Sequence, residues 1–443
     1  MSNNIEKAVV VVESKKDKSQ YSFKYGVILT IALVILATVG YSYNFSDSDL
    51  IELNKNDDSG NVYSMNQNEV KHDFCDPNVK SKSGYFKVKS GVDKNYFYWF
   101  FNSRSKNQSK DPLILWVQGG PGCSSEVAAL TEMGPCNLNV KGTDTIVNPY
   151  SWNSKANIMF VDQPVNVGYS YGESDSTIDH IHSSSEAGVD MYNFLQEFYK
   201  KHPDLLKNEL YVMGESYGGH YVPPIAKAIL DGNIKLENDK NNNIDNNSLH
   251  INLSGIGIGN GITKASIQYQ YYPKMAYKND MGIKTVTKKM YKKMLKHLPE
   301  CISKAKKCEI TKGRNKKYCS YAEAYCSKYL RHPLNIKDYN PYDIRKKCGK
   351  FHQTCSDDRA INNFLNLDST RDALNVSEFA PKRWKECNAN IHRDFMGDKM
   401  VDFATDYIAP LLDNNIRVLI YAGDADFICN WMGNKAWTRA LQW

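Results

Sequence analysis

The chain has 443 residues, 42% of them hydrophobic and 24% charged, with 27 Gly, 15 Pro and 11 Cys. This mixture excludes a collagen, a low-complexity tract and a disordered polyelectrolyte, and the length suits about three average domains or one large α/β core with an insertion. A net charge of +7, from 56 basic and 49 acidic residues, is too slight to argue for nucleic acid as a partner. Eleven cysteines allow five disulfides and one thiol in an oxidising compartment.

Residues 25–46 carry no charge, and Lys15, Lys16, Lys18 and Lys24 precede them. A spanning helix needs about 20 apolar residues, which 25–45 supply. The pattern predicts a cytoplasmic lead (1–24), a transmembrane signal-anchor or signal peptide (25–45) and a polar linker (46–74). The rest is then expected in the secretory pathway, in a vacuole- or lysosome-like lumen or outside the cell, held at the membrane through this helix. Asn-x-Ser sequons at Asn44, Asn107, Asn246, Asn252 and Asn375 agree with that location, and Asn107, Asn252 and Asn375 are the glycosylation candidates.

From residue 75 to 264, strand-like and helix-like signals alternate. Short aromatic and aliphatic runs at 96–101, 113–117, 157–162, 209–213, 251–259 and 417–422 read as strands. Between them, 187–201 places Met191, Tyr192, Leu195, Phe198 and Tyr199 on one helical face, and His202-Pro203 stops it. Such alternation predicts a mostly parallel sheet covered by helices. The Asn-rich stretch 231–249 reads as a surface loop. Residues 265–386 are helical in pattern, Lys-rich and Cys-rich, with an amphipathic helix at 284–298; they read as an insertion capping the sheet, and 387–443 returns to the core. The lysines are expected to form a solvated face, or else to meet an acidic partner.

The strand 209–213 runs into Gly214-Glu215-Ser216-Tyr217-Gly218, and 221–230 can form a helix behind it. A strand–turn–helix elbow of this kind holds a serine hydroxyl exposed on a tight backbone. A second turn, Gly119-Gly120-Pro121-Gly122, follows strand 113–117 and can aim amide N–H groups at an oxyanion. No histidine accompanies the cysteines at ligand spacing, so neither a metal nor a cofactor is expected.

Five stretches carry a family resemblance: Trp116 to Ser125 (WVQGGPGCSS), Asn148 to Asn153 (NPYSWN), Asp162 to Gly168 (DQPVNVG), Gly214 to Pro223 (GESYGGHYVP) and Tyr421 to Asn430 (YAGDADFICN). Together they resemble serine carboxypeptidases of the carboxypeptidase Y and cathepsin A type, from about Cys75 to Trp443. The resemblance implies an α/β-hydrolase fold with a disulfide-rich helical cap, and removal of C-terminal residues from peptides and proteins. It implies Ser216 as nucleophile, the N–H groups of Gly120 and Tyr217 as the oxyanion hole, and Asp426, with Asp424 as its rival, as the residue orienting a catalytic histidine. For the substrate carboxylate it implies Gly119, Glu132, Glu215 and the position of Gln118, where the family has Asn and the amide is displaced by roughly an ångström. Two neighbouring carboxyls are expected to share a proton and favour acid pH.

The resemblance also implies the bridges Cys123–Cys387 and Cys348–Cys355. Cys301, Cys308, Cys319 and Cys326 are spaced by 7, 11 and 7 residues, so each outer pair shares a helix face. A hairpin then gives Cys301–Cys326 and Cys308–Cys319, as in the family. Cys75–Cys136 remains as the last pair, and Cys429 as a free thiol that either walls the substrate pocket or is simply buried. All ten histidines precede Asp426, whereas the family places its catalytic histidine after the aspartate. This reading expects a truncated copy of an active enzyme, with a catalytically inactive homologue or an acyltransferase as alternatives. Oligomeric state is not legible.

Overall fold

All six residues of the run 96–101 are aromatic, and their alternation fixes both faces of a sheet. The computed structural model describes residues 9–12, 68–70, 74–172, 181–241, 247–334, 339–348, 355 and 358–443. Its strands are β1 (Val9–Val12), β2 (Asn68–Glu69), β3 (Ser81–Ser90), β4 (Val92–Phe101), β5 (Leu113–Val117), β6 (Cys136–Leu138), β7 (Thr145–Val147), β8 (Asn157–Val161), β9 (Tyr171–Gly172), β10 (Leu210–Glu215), β11 (Leu253–Gly259) and β12 (Arg417–Tyr421). The main sheet runs β1-β12-β11-β10-β5-β8-β4-β3-β2, with β9 beside β4, while β6 and β7 pair separately. Strands β8, β5, β10, β11 and β12 are parallel, and the β3–β4 hairpin and β1 join antiparallel.

The pleat sends Tyr96, Tyr98 and Phe100 to one face and Phe97, Trp99 and Phe101 to the other. The first set packs on Met191, Phe194 and Phe198 of α2 (Ser184–Lys201); the second meets Phe364, Leu365 and Trp384. Each fully buried ring contributes about 1.5–3 kcal/mol over leaving it exposed. The sheet is therefore covered on both sides, as strand–helix alternation requires. Within this packing, Lys94 of β4 pairs with Asp190 of α2 at 2.7 Å, both buried, and Tyr96 Oη donates to the same carboxylate at 2.6 Å.

Several expectations change. The helix behind the elbow is α3 (Gly218–Asn241), which runs on through the first half of the stretch read as an Asn-rich loop. Leu236 is buried there, and Lys235, Glu237 and Lys240 are good helix formers, so the surface composition hid a continuing helix. The amphipathic cap helix spans Lys288–Ile310 rather than 284–298. Among the described residues no helix is long and apolar enough to cross a membrane, and the proposed span 25–45 lies outside them. Val9–Val12, within the stretch read as a cytoplasmic lead, pairs antiparallel with β12; a β-branched run suits a strand that satisfies the outer N–H and C=O groups of its neighbour. Contacts divide the chain into Met1–Glu13 with Ser64–Trp443, and Ser14–Tyr63, which lies wholly outside the described residues.

In the cap, helix Lys288–Ile310 packs on helix Lys316–Cys326, and Cys301–Cys326 and Cys308–Cys319 join them. Met294, Ala305 and Ala322 complete that small core. Cys75–Cys136, Cys123–Cys387 and Cys348–Cys355 are also closed, and Cys429 is buried and unbridged. Asn107 is exposed, Asn252 and Asn375 are half-buried, and the Asn252 amide donates to the Lys207 carbonyl at 3.1 Å.

Candidate active site

Four loops at the carboxyl ends of parallel strands converge, where open α/β sheets place their ligands. Gln118 and Gly119 follow β5, Ser216 follows β10, Asn260 follows β11 and the segment to Asp426 follows β12. The elbow is strained. Ser216 has φ +55°, a left-handed value that costs a non-glycine residue about 1–2 kcal/mol. Three backbone bonds hold it: Ser216 N–H donates to the Gly259 carbonyl (3.0 Å), and the Ser216 carbonyl accepts from Ile262 (3.0 Å) and Gly219 (3.1 Å). Gly214 is required by space, since a Cβ there would sit 2.4 Å from the Val117 carbonyl oxygen.

The oxyanion loop touches the elbow. A Cβ on Gly119 would lie 2.6 Å from the Tyr217 nitrogen and 2.8 Å from the Ser216 Cβ, so glycine alone allows this approach. Neither the Gly120 nor the Tyr217 N–H donates to any group among the described residues. Two free amides thus flank the serine. Helix Ala389–Asp394 backs the loop: Cys123 is bridged to Cys387, and Asn388 N–H donates to the Gly122 carbonyl at 2.8 Å.

Asp426 is buried and accepts from Asn260 Nδ2 (2.8 Å), Ile428 N–H (2.8 Å) and Cys429 N–H (3.1 Å). Burial outweighs these donors and holds its carboxyl up at about 7; an imidazolium beside it would bring it down. Asp424 is half-buried, and its carboxylate takes no hydrogen bond among the described residues. Burial pushes the Cys429 thiol well above the ordinary thiol range, against the Ser216 hydroxyl, which lowers it.

Gln118 is buried, and Trp116 Nε1 donates to its Oε1 at 2.9 Å. This leaves Nε2 to donate to Glu215 Oε1 (3.0 Å) and Glu132 Oε1 (3.2 Å). One amide thus reaches both carboxyls. Glu132 directly follows α1 (Glu126–Thr131) and is exposed as a residue, while its carboxyl is held by the Gln118 amide. Burial, followed by the charge of Glu215, pushes Glu132 up; burial also raises Glu215, against hydrogen bonds from Gln118 and Glu132 that lower it. Burial and the neighbouring carboxylate both favour the protonated form of Glu132.

His220 lies under the elbow, stacked on Tyr217 at 4.6 Å, with Nδ1 bonded to the Ile262 carbonyl; burial lowers it to about 3. It supports the elbow and does not face Ser216. The sequence reading missed Asn260, which donates to Asp426. Position after a parallel strand was a signal for Asn260.

A serine on a strained strand–helix elbow, with free amides and a buried carboxylate beside it, defines the serine-hydrolase class of α/β proteins. Residues 71–443 match the family model for serine carboxypeptidase, and the chain belongs to that family. It is 40% identical over 368 residues to carboxypeptidase Y homolog A of Coccidioides posadasii, covering 82% of this chain and 63% of that one. Against carboxypeptidase Y of Komagataella phaffii it is 38% identical over 380 residues, covering 85% and 66%. The chain thus spans about 63% of the length of the curated relatives it matches. The crystal structure of Kex1(delta)p, a prohormone-processing carboxypeptidase from Saccharomyces cerevisiae, superposes with a TM-score of 0.68 at 23% identity, covering 85% of this chain and 81% of that one, which places the fold alone.

Proposed function

We propose that the protein is a serine carboxypeptidase that removes residues from the C-termini of peptides and proteins through an acyl-enzyme on Ser216. The observation carrying this reading is the Gln118 amide joined to Glu132 and Glu215 beside the elbow. A nucleophile alone can cut many esters and amides; an exopeptidase must also grip a terminal carboxylate. A carboxyl pair that keeps one proton can donate to that carboxylate, together with Gln118 and the Gly119 backbone. As pH rises through the raised pKa of the pair, the proton leaves and two carboxylates repel the substrate, so KM rises and acid pH is favoured.

On this reading the sheet is that of an α/β-hydrolase with a helical cap. The Gly120 and Tyr217 amides take the oxyanion, and Asp426 orients an imidazole that accepts the Ser216 proton and returns it to the leaving amine. The reaction requires that imidazole at Asp426, and the described residues place none there. Five disulfides and the sequons support a secretory or vacuole-like lumen. The test uses the natural protein. An organophosphate should label Ser216 and abolish trimming, and Glu215→Ala should weaken binding of free-acid peptides while leaving amidated ones unaffected. Labelling elsewhere, or equal cleavage of amidated and free-acid peptides, overturns the reading.

A further inference from the structure

Away from the nucleophile, a cavity of about 450 Å³ lies where the turn between the two bridged cap helices meets the core. That volume is within the range small-molecule sites occupy. Glycines bring its walls together. A Cβ on Gly313 of the turn would sit 2.7 Å from Val401 Cγ2, and one on Gly397 would sit 2.9 Å from the Lys316 carbonyl oxygen. Lys312 then reaches across to Asp406 at 3.5 Å. The cap side of the cavity is basic, with Lys312, Arg314 and Lys316, and the core side is acidic, with Asp394, Asp398 and Asp406. Lys227 and Asp231, both on α3 and also in the wall, pair with each other at 2.7 Å.

The groups left unmatched on the two walls have opposite charge. Lys312 is spent on Asp406, whereas Arg314 and Lys316 make no ion pair among the described residues. On the other wall, Asp398 is 9% exposed. Its Oδ2 accepts from the Ser184 N–H (3.2 Å), the Ser184 hydroxyl and Tyr217 Oη (2.7 Å). All three donors fall on that one oxygen, and Oδ1 takes no hydrogen bond among the described residues. A carboxylate oxygen buried without a donor is costly. A metal ion is not the answer, since no group of three acidic, His or Cys side chains among the described residues can hold one. A plain anion would satisfy Arg314 and Lys316 but not Asp398. A molecule with an ammonium at one end and a carboxylate at the other satisfies both walls. Burial raises Asp398 only to about 6, so it is charged at neutral pH.

We propose that this cavity binds a free zwitterionic amino acid, with its ammonium on Asp398 and its carboxylate on Arg314 and Lys316. The site goes beyond the carboxypeptidase reading and does not need it, although on that reading such a molecule is what each turnover releases. The natural protein is first treated with organophosphate, which keeps amino acids from binding beside Ser216 as products. It is then titrated calorimetrically near pH 7, where Asp398 and an amino acid are both charged. The probes are L-leucine, L-glutamine and the N-acetyl and amide derivatives of each. Saturable binding of at least one free amino acid is expected, with each of its derivatives about tenfold or more weaker, the worth of one charge-assisted hydrogen bond. Arg314→Gln with Lys316→Gln should weaken the amino acid to the level of its amide. Asp398→Asn, which keeps an acceptor for Ser184 and Tyr217, should weaken it to the level of its N-acetyl derivative. Melting temperatures report intact folds, and the Arg314 and Lys316 side chains are exposed, so that double variant should label at Ser216 as the parent does. If Ser216 takes no label, the carboxypeptidase reading fails, and the same titration of untreated protein and variants still decides the site. No saturation up to about 10 mM, an N-acetyl or amide derivative bound as tightly as its parent, or binding unmoved by either variant would overturn the proposal.

Discussion

Gln118 is one methylene longer than the Asn its family resemblance implies, and the indole of Trp116 turns that length to use by fixing the amide between two carboxyls. Both N–H groups lower the glutamates they bond. Gln118→Met removes those donors, so the pair should keep its proton to higher pH. The neutral limb of the kcat/KM–pH profile is then expected to move upward while acid-side affinity falls about tenfold; a limb that stays or moves down refutes the pairing. Asp426 and Asp424 separate in the same way. Asp426 holds three donors and Asp424 none, so Asp426→Asn should cost about 10⁴-fold in kcat, as loss of an orienting carboxylate does. Asp424→Asn should cost less than about threefold, and similar losses from both would show that the wrong carboxylate was chosen. The elbow and the oxyanion glycines were readable because each is a local backbone demand. Asn260 was overlooked because it meets Asp426 only across 166 residues of chain, although its place after a parallel strand was a hint.

Elements were legible where one face is buried and obscured where composition is polar throughout. Strands β5 and β8 and helix α2 follow from their apolar runs, whereas β3, with Lys82, Lys87 and Lys89 among its residues, gave no clear period. What fastens these elements is partly ionic. Asp190→Ala would strand the Lys94 ammonium between β4 and α2, and urea unfolding should show a loss of about 3–5 kcal/mol. A loss under about 1 kcal/mol would mean that water reaches the site. A second fastening joins the oxyanion loop to the turn after β8. Asp162 accepts from Ser125 N–H (3.0 Å) and Tyr169 N–H (2.8 Å), and its carboxyl bonds that of buried Glu126. Glu126 Oε1 has no other partner, as suits a protonated carboxyl donating to Asp162. Burial raises both groups. Their contribution is therefore full below the unfolded carboxyl range, about pH 4, and is lost as pH rises through the folded values. Glu126→Gln keeps the donor without the proton, so its stability relative to the parent should improve steadily from about pH 5 to 8. A difference that is flat across that range would remove the shared proton.

The molecule as a whole is electrically lopsided in a way its net charge conceals. Residues 284–317 of the cap hold thirteen Lys and Arg against two Glu, while the full chain is only +7, so everything outside that segment is net acidic. Lys288, Lys292 and Lys296 stand exposed four residues apart on one helix face, and Lys304 and Lys307 cover tyrosine rings, which leaves a broad solvated positive surface. A field of this kind draws in acidic chains from a distance and weakens as the Debye length shrinks. For a long substrate with many upstream Asp and Glu residues, raising salt from about 20 mM to 500 mM should lower kcat/KM roughly tenfold, whereas kcat/KM for a neutral peptide of equal length should hold. Changing Lys288, Lys292 and Lys296 together to Glu should flatten the salt dependence of the long substrate. If the long acidic peptide and a neutral one of equal length respond alike to salt, the lysines are a solvated face and nothing more.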